Sequence, residues 1–84
     1  MIFESLSPEE GLKADIKATM ITLVEEKLYG KFKLSEEKMI VQLDYLKGHI
    51  NELADLVGEE DETVVELKNR FNTNFASFGP EYSF

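Results

Sequence analysis

Few side chains in this 84-residue sequence are suited to catalysis or metal binding. The chain has one histidine, His49, and no cysteine, so a zinc site would need carboxylates around a single imidazole. A catalytic triad has little support without a serine or threonine in a nucleophile motif, and the sequence contains no glycine-rich phosphate loop. We therefore expect a non-enzymatic protein without metal, cofactor or small-molecule substrate, and a solvated edge position for His49.

Carboxylates are the most abundant charged groups in the sequence. The chain has 17 Asp and Glu and 9 Lys and Arg, which gives a net charge of -8. This charge disfavours direct binding to nucleic acids and anionic membranes, which attract Lys and Arg. The densest acidic run is Glu59, Glu60, Asp61 and Glu62. Acids are stabilised at helix starts by the helix dipole, so the run is either ordinary capping or a contact surface for a basic partner. It lacks the alternating acids and the glycine of an EF-hand, so we predict no calcium site.

Capping residues divide the chain into three helices. Ser7 and Ser35 are suited to N-cap positions, and Gly30 and Gly58 to helix ends. Short connections make neighbouring helices antiparallel, so the predicted fold class is all-α, an up-down-up three-helix bundle with homodimerisation left open as a way to complete it. The predicted single domain spans 1–84, with helices over about 8–29, 36–57 and 61–77 and an irregular aromatic tail over 79–84.

The second helix carries the most regular apolar pattern, with a spacing that alternates between four and three residues. This spacing is typical of coiled coils and places one apolar seam along the helix. We interpret the seam as a packing surface. Its members are Met39, Leu43, Leu46, Ile50, Leu53 and Val57.

The first helix has more apolar surface than one seam requires. Ile21, Val24 and Leu28 form a stripe turned away from the stripe that contains Leu12, Ile16, Met20 and Leu23. In one interpretation the first helix lies between the other two and contacts both. In the other, the Ile21 stripe is a dimer face.

Two further segments are candidate partner-binding surfaces. Val41, Tyr45 and Gly48 lie opposite the seam of the second helix, and the glycine would let another backbone approach closely if it is not simply a tolerated surface residue. The tail adds Tyr82 and Phe84 after an aromatic stripe on the third helix. These two aromatics either fold back onto the bundle or anchor in a groove on another protein.

The connection between the second and third helices resembles a helix-turn-helix. Ala54 lies four residues before the turn glycine Gly58, and Thr63-Val64 follow about where the motif has them. The sequence departs from the motif at Glu59, where an apolar residue is usual. The would-be recognition helix also begins with acids, which phosphates repel.

These observations favour a small interaction protein, such as an adaptor, assembly factor or regulatory subunit, that works through apolar helix faces on itself or on a partner protein. Two alternatives remain. One is an acidic inhibitor or nucleic-acid mimic, of a kind that some phages encode, which blocks a basic nucleic-acid-binding enzyme. The other is a degenerate helix-turn-helix regulator. The order of residues in Met1-Ile2-Phe3-Glu4 does not resemble a signal peptide, so we expect a cytoplasmic location without membrane contact.

Overall fold

A computed structural model describes residues 7–84 of the chain. Three α-helices make up most of it: α1 (Pro8–Tyr29), α2 (Glu36–Val57) and α3 (Glu62–Phe75). Two short 3-10 turns follow, Ala76–Phe78 and Pro80–Tyr82. The prediction of an all-α three-helix fold is confirmed, and the described residues contain no strand. The segment Met1–Glu4, whose residue order does not resemble a signal peptide, lies outside the described residues.

Local capping explains where the helices begin and end. The Ser7 hydroxyl accepts a hydrogen bond from the Glu10 backbone N–H at 3.2 Å, and the Ser35 hydroxyl accepts one from Lys38 at the same distance. Gly30 ends α1 in the left-handed conformation, with φ of 61°, where a side chain would be strained. After α3 the chain tightens into 3-10 turns, so the tail over 79–84 is more regular than the sequence predicted.

The core closes within a single copy of the chain. The alternating seam of α2 is buried except at its last residue, Val57, which is half-buried. Burial of these side chains is the main favourable term that holds the helices together. No polar or charged residue is buried among the described positions. The buried residues are Ile16, Met20, Leu23, Met39, Leu43, Leu46, Ile50, Leu53, Ala54, Val64, Leu67, Phe71, Phe75 and Tyr82.

The central element is α2, which packs extensively against α1 and also against α3. The backbones of α1 and α3 approach each other at few points, although the Lys27 ammonium donates a hydrogen bond to the Asn74 carbonyl between them. The interpretation that α1 contacts both other helices therefore agrees with the structure, but its placement of α1 between them is wrong, because α2 holds that position. The reason is that α1 buries only one stripe, formed by Ile16, Met20 and Leu23, whereas α2 buries six residues.

The Pro80–Tyr82 turn returns the chain to the groove between α2 and α3. Tyr82 is buried, and the Lys47 ammonium donates a hydrogen bond to the Glu81 carbonyl at 2.9 Å. Burial raises the pKa of the Tyr82 phenol, and the nearby carboxylate of Asp44 raises it further. The tail is thus part of the packed structure. No helix in the described part of the chain is long and apolar enough to cross a membrane.

Candidate interaction surfaces

The outer face of α1 is the first candidate surface. Ile21 is 57% exposed and Leu28 is 62% exposed, whereas Val24 is half-buried and packs against the core. At about 100° per residue, Ile21 and Leu28 point roughly 140° and 120° away from the buried Ile16, and Val24 only about 80°. The predicted stripe therefore divides into two residues that face solvent and one that borders the core.

Small residues continue this exposed face toward the start of α1. Ala14 and Ala18 are exposed, and no neighbouring element comes within 4 Å of a side chain built at Gly11. The spacing from Gly11 through Leu28 alternates between three and four residues, as in a coiled coil. We call this set the outer seam, and its members are Gly11, Ala14, Ala18, Ile21, Glu25 and Leu28.

The outer face of α2 carries the second predicted set. Val41 is 60% exposed, and Tyr45 and Gly48 are also exposed. Apart from its chain neighbours and the backbone of α2 itself, no heavy atom of the described structure lies within 4 Å of a Cβ built at Gly48, so no other element approaches this glycine. The space in front of Gly48 is open, and the tail lies on another side of α2.

Tyr45 is held against α1 by a small polar cluster that the sequence did not indicate. Its hydroxyl donates a hydrogen bond to the Asp15 carboxylate at 3.0 Å, and its ring stacks on His49 with centroids 4.0 Å apart. The His49 Nε2 lies 3.5 Å from the same carboxylate. The hydrogen bond to Asp15 raises the pKa of the Tyr45 phenol, and partial desolvation adds to the effect. The cluster links α1 to α2 and fixes the orientation of the exposed Tyr45 ring.

A second cluster that the sequence did not indicate orders the turn between α1 and α2. The Glu26 carboxylate accepts hydrogen bonds from the backbone N–H groups of Phe32 at 2.6 Å and Leu34 at 2.9 Å. Lys33 has a φ of 52°, the only positive φ among the described non-glycine residues. The ordered turn presents Tyr29 and Phe32 as exposed aromatics. One feature of the sequence could have indicated this cluster, namely the glutamate one turn before Gly30. An acid at that position can accept hydrogen bonds from the free N–H groups of a tight turn.

The tail is the third predicted surface, and its two aromatics differ. Tyr82 is buried, whereas the Phe84 ring packs edge-on against Phe71 with centroids 5.2 Å apart and is 36% exposed. The Asn72 side chain bonds both the N–H and the carbonyl of Phe84, at 2.6 and 3.4 Å. In this arrangement Tyr82 would have to leave the core before it could contact a partner.

The acidic run Glu59–Glu62 is partly engaged within the fold. Glu59 lies 3.3 Å from the Lys68 ammonium, and the Asp61 carboxylate caps α3 by accepting from the N–H groups of Thr63 and Val64 at 2.9 and 3.4 Å. Glu60 and Glu62 are exposed and line a shallow hollow on the outside of α3 with Glu66 and Arg70. Capping thus accounts for Asp61, and Glu60 with Glu62 are the acids that face outward.

The described residues include no group of three or more His, Cys, Asp or Glu side chains placed to hold a metal ion. The hollows in the described part of the chain are shallow: one lies on the outside of α3, and another lies beside Thr22 and Phe32, between α1 and the start of α2. The candidate sites are therefore surfaces, and the most exposed large aliphatic side chains lie on α1 and α2. The chain matches no protein-family profile, no curated protein and no solved structure.

Proposed function

We propose that this chain is a non-enzymatic helical interaction protein that contacts a protein partner, or a second copy of itself, through apolar helix faces. The observation that carries the proposal is the exposure of Ile21, Leu28 and Val41, each more than half exposed on helices whose other faces already form a closed core. Exposed apolar surface of this kind marks interaction sites when the residues are adjacent. Ile21 and Leu28 lie on one face of α1 about 10 Å apart, with the half-buried Val24 between them.

The energetics favour covering these side chains. Complete burial of one large aliphatic side chain contributes about 1.5–3 kcal/mol. Neither Ile21 nor Leu28 is needed to fill the core, because that core is already closed by other residues. A partner that covers both therefore gains their transfer free energy without disrupting the bundle. An adaptor, assembly factor or regulatory subunit would use the surface in this way.

An acidic inhibitor of a basic enzyme is the alternative, and the outward-facing Glu60 and Glu62 support it. It would bind through carboxylates, so its affinity would fall steeply with salt. The apolar proposal predicts weak dependence on salt. The helix-turn-helix alternative predicts DNA binding, which a mobility-shift series at low salt would detect.

Affinity capture with matched variants separates these functions. The apolar variant is Ile21→Ser with Leu28→Ser, and the acidic variant is Glu60→Gln with Glu62→Gln. The apolar proposal predicts that proteins captured from the native host by the wild-type chain are lost with the apolar variant and kept with the acidic one. Circular dichroism of both variants checks that the bundle is intact.

Loss of the captured proteins with the acidic variant, and their retention with the apolar variant, would favour the acidic inhibitor. If the apolar variant keeps every captured protein and the wild-type chain also remains monomeric at high concentration, the proposal that apolar faces carry the function is wrong. The capture experiment detects heterologous partners, and sedimentation detects self-association, so the two forms of the proposal are tested separately.

A further inference from the structure

We infer that the groove between α2 and α3, which the chain's own tail fills, is a binding site for an aromatic peptide segment of another protein. The segment carries a tyrosine and a phenylalanine separated by one residue, as Tyr82 and Phe84 are in the tail. This site is called the tail groove, and its side chains are Lys47, Lys68, Phe71 and Asn72. The inference goes beyond the proposed function, because the tail groove does not include the outer face of α1.

The first argument is that the tail groove binds the backbone of the tail through side chains. The Asn72 side chain accepts a hydrogen bond from the Phe84 N–H at 2.6 Å and donates one to the Phe84 carbonyl at 3.4 Å. The Lys47 ammonium donates a hydrogen bond to the Glu81 carbonyl at 2.9 Å. Backbone groups are the same in any peptide, so these bonds can hold a different segment in the same position.

The second argument is that the tail groove takes up two aromatic rings. Tyr82 is buried to 9% exposure. The Phe84 ring packs edge-on against Phe71. The ammonium groups of Lys47 and Lys68 lie 5.3 and 5.4 Å from the centroid of the Phe84 ring, where the electrons of the ring attract them. Aromatic side chains held in this way are common anchors of protein contacts, and their spacing gives the site its specificity.

The third argument is that the tail can leave the groove as a unit. Gly79 begins the tail with a φ of 138°, a conformation that other residues rarely adopt. The tail is shaped by bonds within itself, because the Tyr82 N–H donates to the Gly79 carbonyl at 3.0 Å and the Ser83 hydroxyl to the Pro80 carbonyl at 3.1 Å. Tyr82 is its one buried residue, and the rest of the core belongs to the three helices. Rotation at Gly79 therefore frees the groove and leaves the helices packed.

The attached tail competes with any free segment. A segment on a short linker has an effective concentration on the order of millimolar. A free peptide therefore binds well only when the tail is weakened or when the peptide is concentrated. The tail thus covers the groove until a partner segment of higher affinity replaces it.

The first test measures binding of a fluorescent peptide, with the sequence of residues 79–84, to full-length chains by anisotropy. The tail variant, Tyr82→Ser with Phe84→Ser, leaves the groove without its aromatic occupants. It should bind the peptide at least about 10-fold more tightly than the wild-type chain, because the competing tail is weakened. A control peptide with the same two substitutions should not bind. Circular dichroism checks that the tail variant is folded.

A second substitution in the tail variant locates the binding site. Asn72→Ala removes both hydrogen bonds to the peptide backbone and should weaken peptide binding about 10-fold. Asn69→Ala is the matched control, because Asn69 lies on the same helix but lines the hollow on its outside. This control should leave the affinity for the peptide unchanged.

A measurement on the wild-type chain does not depend on the stability of the tail variant. Tyr82 is buried, whereas Tyr29 is 76% and Tyr45 is 46% exposed, so fluorotyrosine labelling should give one buried signal in ¹⁹F NMR. Excess unlabelled peptide, at concentrations above the millimolar range of the attached tail, should move only the Tyr82 signal toward the exposed positions.

The inference is overturned if the folded tail variant binds the peptide no more tightly than the wild-type chain, or if Asn72→Ala and Asn69→Ala weaken binding equally. If the tail variant is unfolded, a Tyr82 signal that excess peptide leaves unchanged overturns it. A wild-type dimer that the peptide converts to monomers would assign the groove to the tail of a second copy, and would overturn the assignment to another protein. None of these variants changes the outer face of α1, so the capture experiment tests the proposed function separately.

Discussion

Two seams with the same residue spacing differ in how far they are buried in this molecule. The seam of α2, from Met39 to Val57, is buried almost throughout. In the outer seam of α1, from Gly11 to Leu28, four residues are exposed, and Gly11 and Glu25 are half-buried. Both alternate steps of three and four residues. The α2 seam consists only of large apolar side chains. The outer seam has glycine and alanine in its first half and the larger Ile21, Glu25 and Leu28 in its second half. The comparison shows that spacing identifies a packing face and that side-chain size indicates what the face can pack against.

A seam of large apolar side chains is fully buried only when other helices cover it from two sides. The helices α1 and α3 cover the seam of α2 in this way. A seam of mixed sizes cannot fill a core alone, since glycine and alanine bury little apolar area. Small residues instead let a second helix approach closely. The exposed face of α1 is therefore a better candidate for function than the regular seam of α2.

The largest expected effect compares one side chain from each seam. Leu46→Ala removes a fully buried residue of the α2 seam and should lower the free energy of unfolding by about 2–5 kcal/mol. Ile21→Ala on the outer seam should change it by at most about 0.5 kcal/mol when the chain is kept dilute and monomeric. Urea denaturation followed by circular dichroism measures both. Similar losses for the two variants would contradict the assignment of the seams.

The tail provides an intermediate case, because Phe84 is partly exposed and yet packs on Phe71. Phe84→Ala should lower the free energy of unfolding by about 1–3 kcal/mol, as the edge-on ring contact and the contacts with two lysine ammonium groups are lost. Val41→Ala, which removes an apolar group that lacks such packing, is the control for the same denaturation measurement. A loss no greater than that of the control would mean that the tail does not pack on the bundle in solution.

A smaller effect is expected at the start of α3. Asp61→Ala removes the carboxylate that accepts from Thr63 and Val64 and should lower the free energy of unfolding by about 1 kcal/mol. Glu60→Ala, one residue earlier and without a capping bond in the structure, should have little effect on thermal unfolding. If Asp61→Ala and Glu60→Ala have the same unfolding temperature, the acidic run does not act as a cap.

The smallest effect concerns pH and the Asp15–Tyr45 contact between α1 and α2. Because the hydrogen bond to Asp15 raises the pKa of Tyr45 in the folded chain, the bond stabilises the fold below the ordinary tyrosine pKa of about 10 and loses this contribution as the pH rises through the folded value. The wild-type chain should therefore lose more stability than Tyr45→Phe between neutral and alkaline pH. In a spectroscopic titration, Asp15→Asn should lower the pKa of Tyr45.

Much of the fold was predictable because its signals are local. Ser7 and Ser35 bond N–H groups three residues away, and Gly30 adopts a conformation that it tolerates better than other residues. The long-range contacts were not predictable in the same way. Asp15 contacts Tyr45, which lies 30 residues further along the chain, and Asn72 binds the backbone of Phe84. No short spacing encodes such pairs, since they depend on how the helices are arranged.

The candidate surfaces were predicted in part. Ile21, Leu28 and Val41 were identified as surplus apolar residues, and their exposure agrees with that description. Val24 and Tyr82 belonged to the same sets but pack on the core. Gly11, Ala14 and Ala18 were overlooked because small side chains contribute little to an apolar pattern, although their spacing with Ile21 was visible in the sequence.

The sequence by itself determined the three helices, the apolar period of α2 and the absence of thiol chemistry. Caps and helical periodicity involve residues only a few positions apart, and composition does not depend on any contact between residues. Only the tertiary structure decided that α2 is the central helix and that Tyr82 enters the core while Ile21 and Leu28 stay exposed. The physical reason is that burial belongs to the whole arrangement. A side chain leaves water only when another element covers it, and the chain's own helices cover one face of α1 and leave the other open.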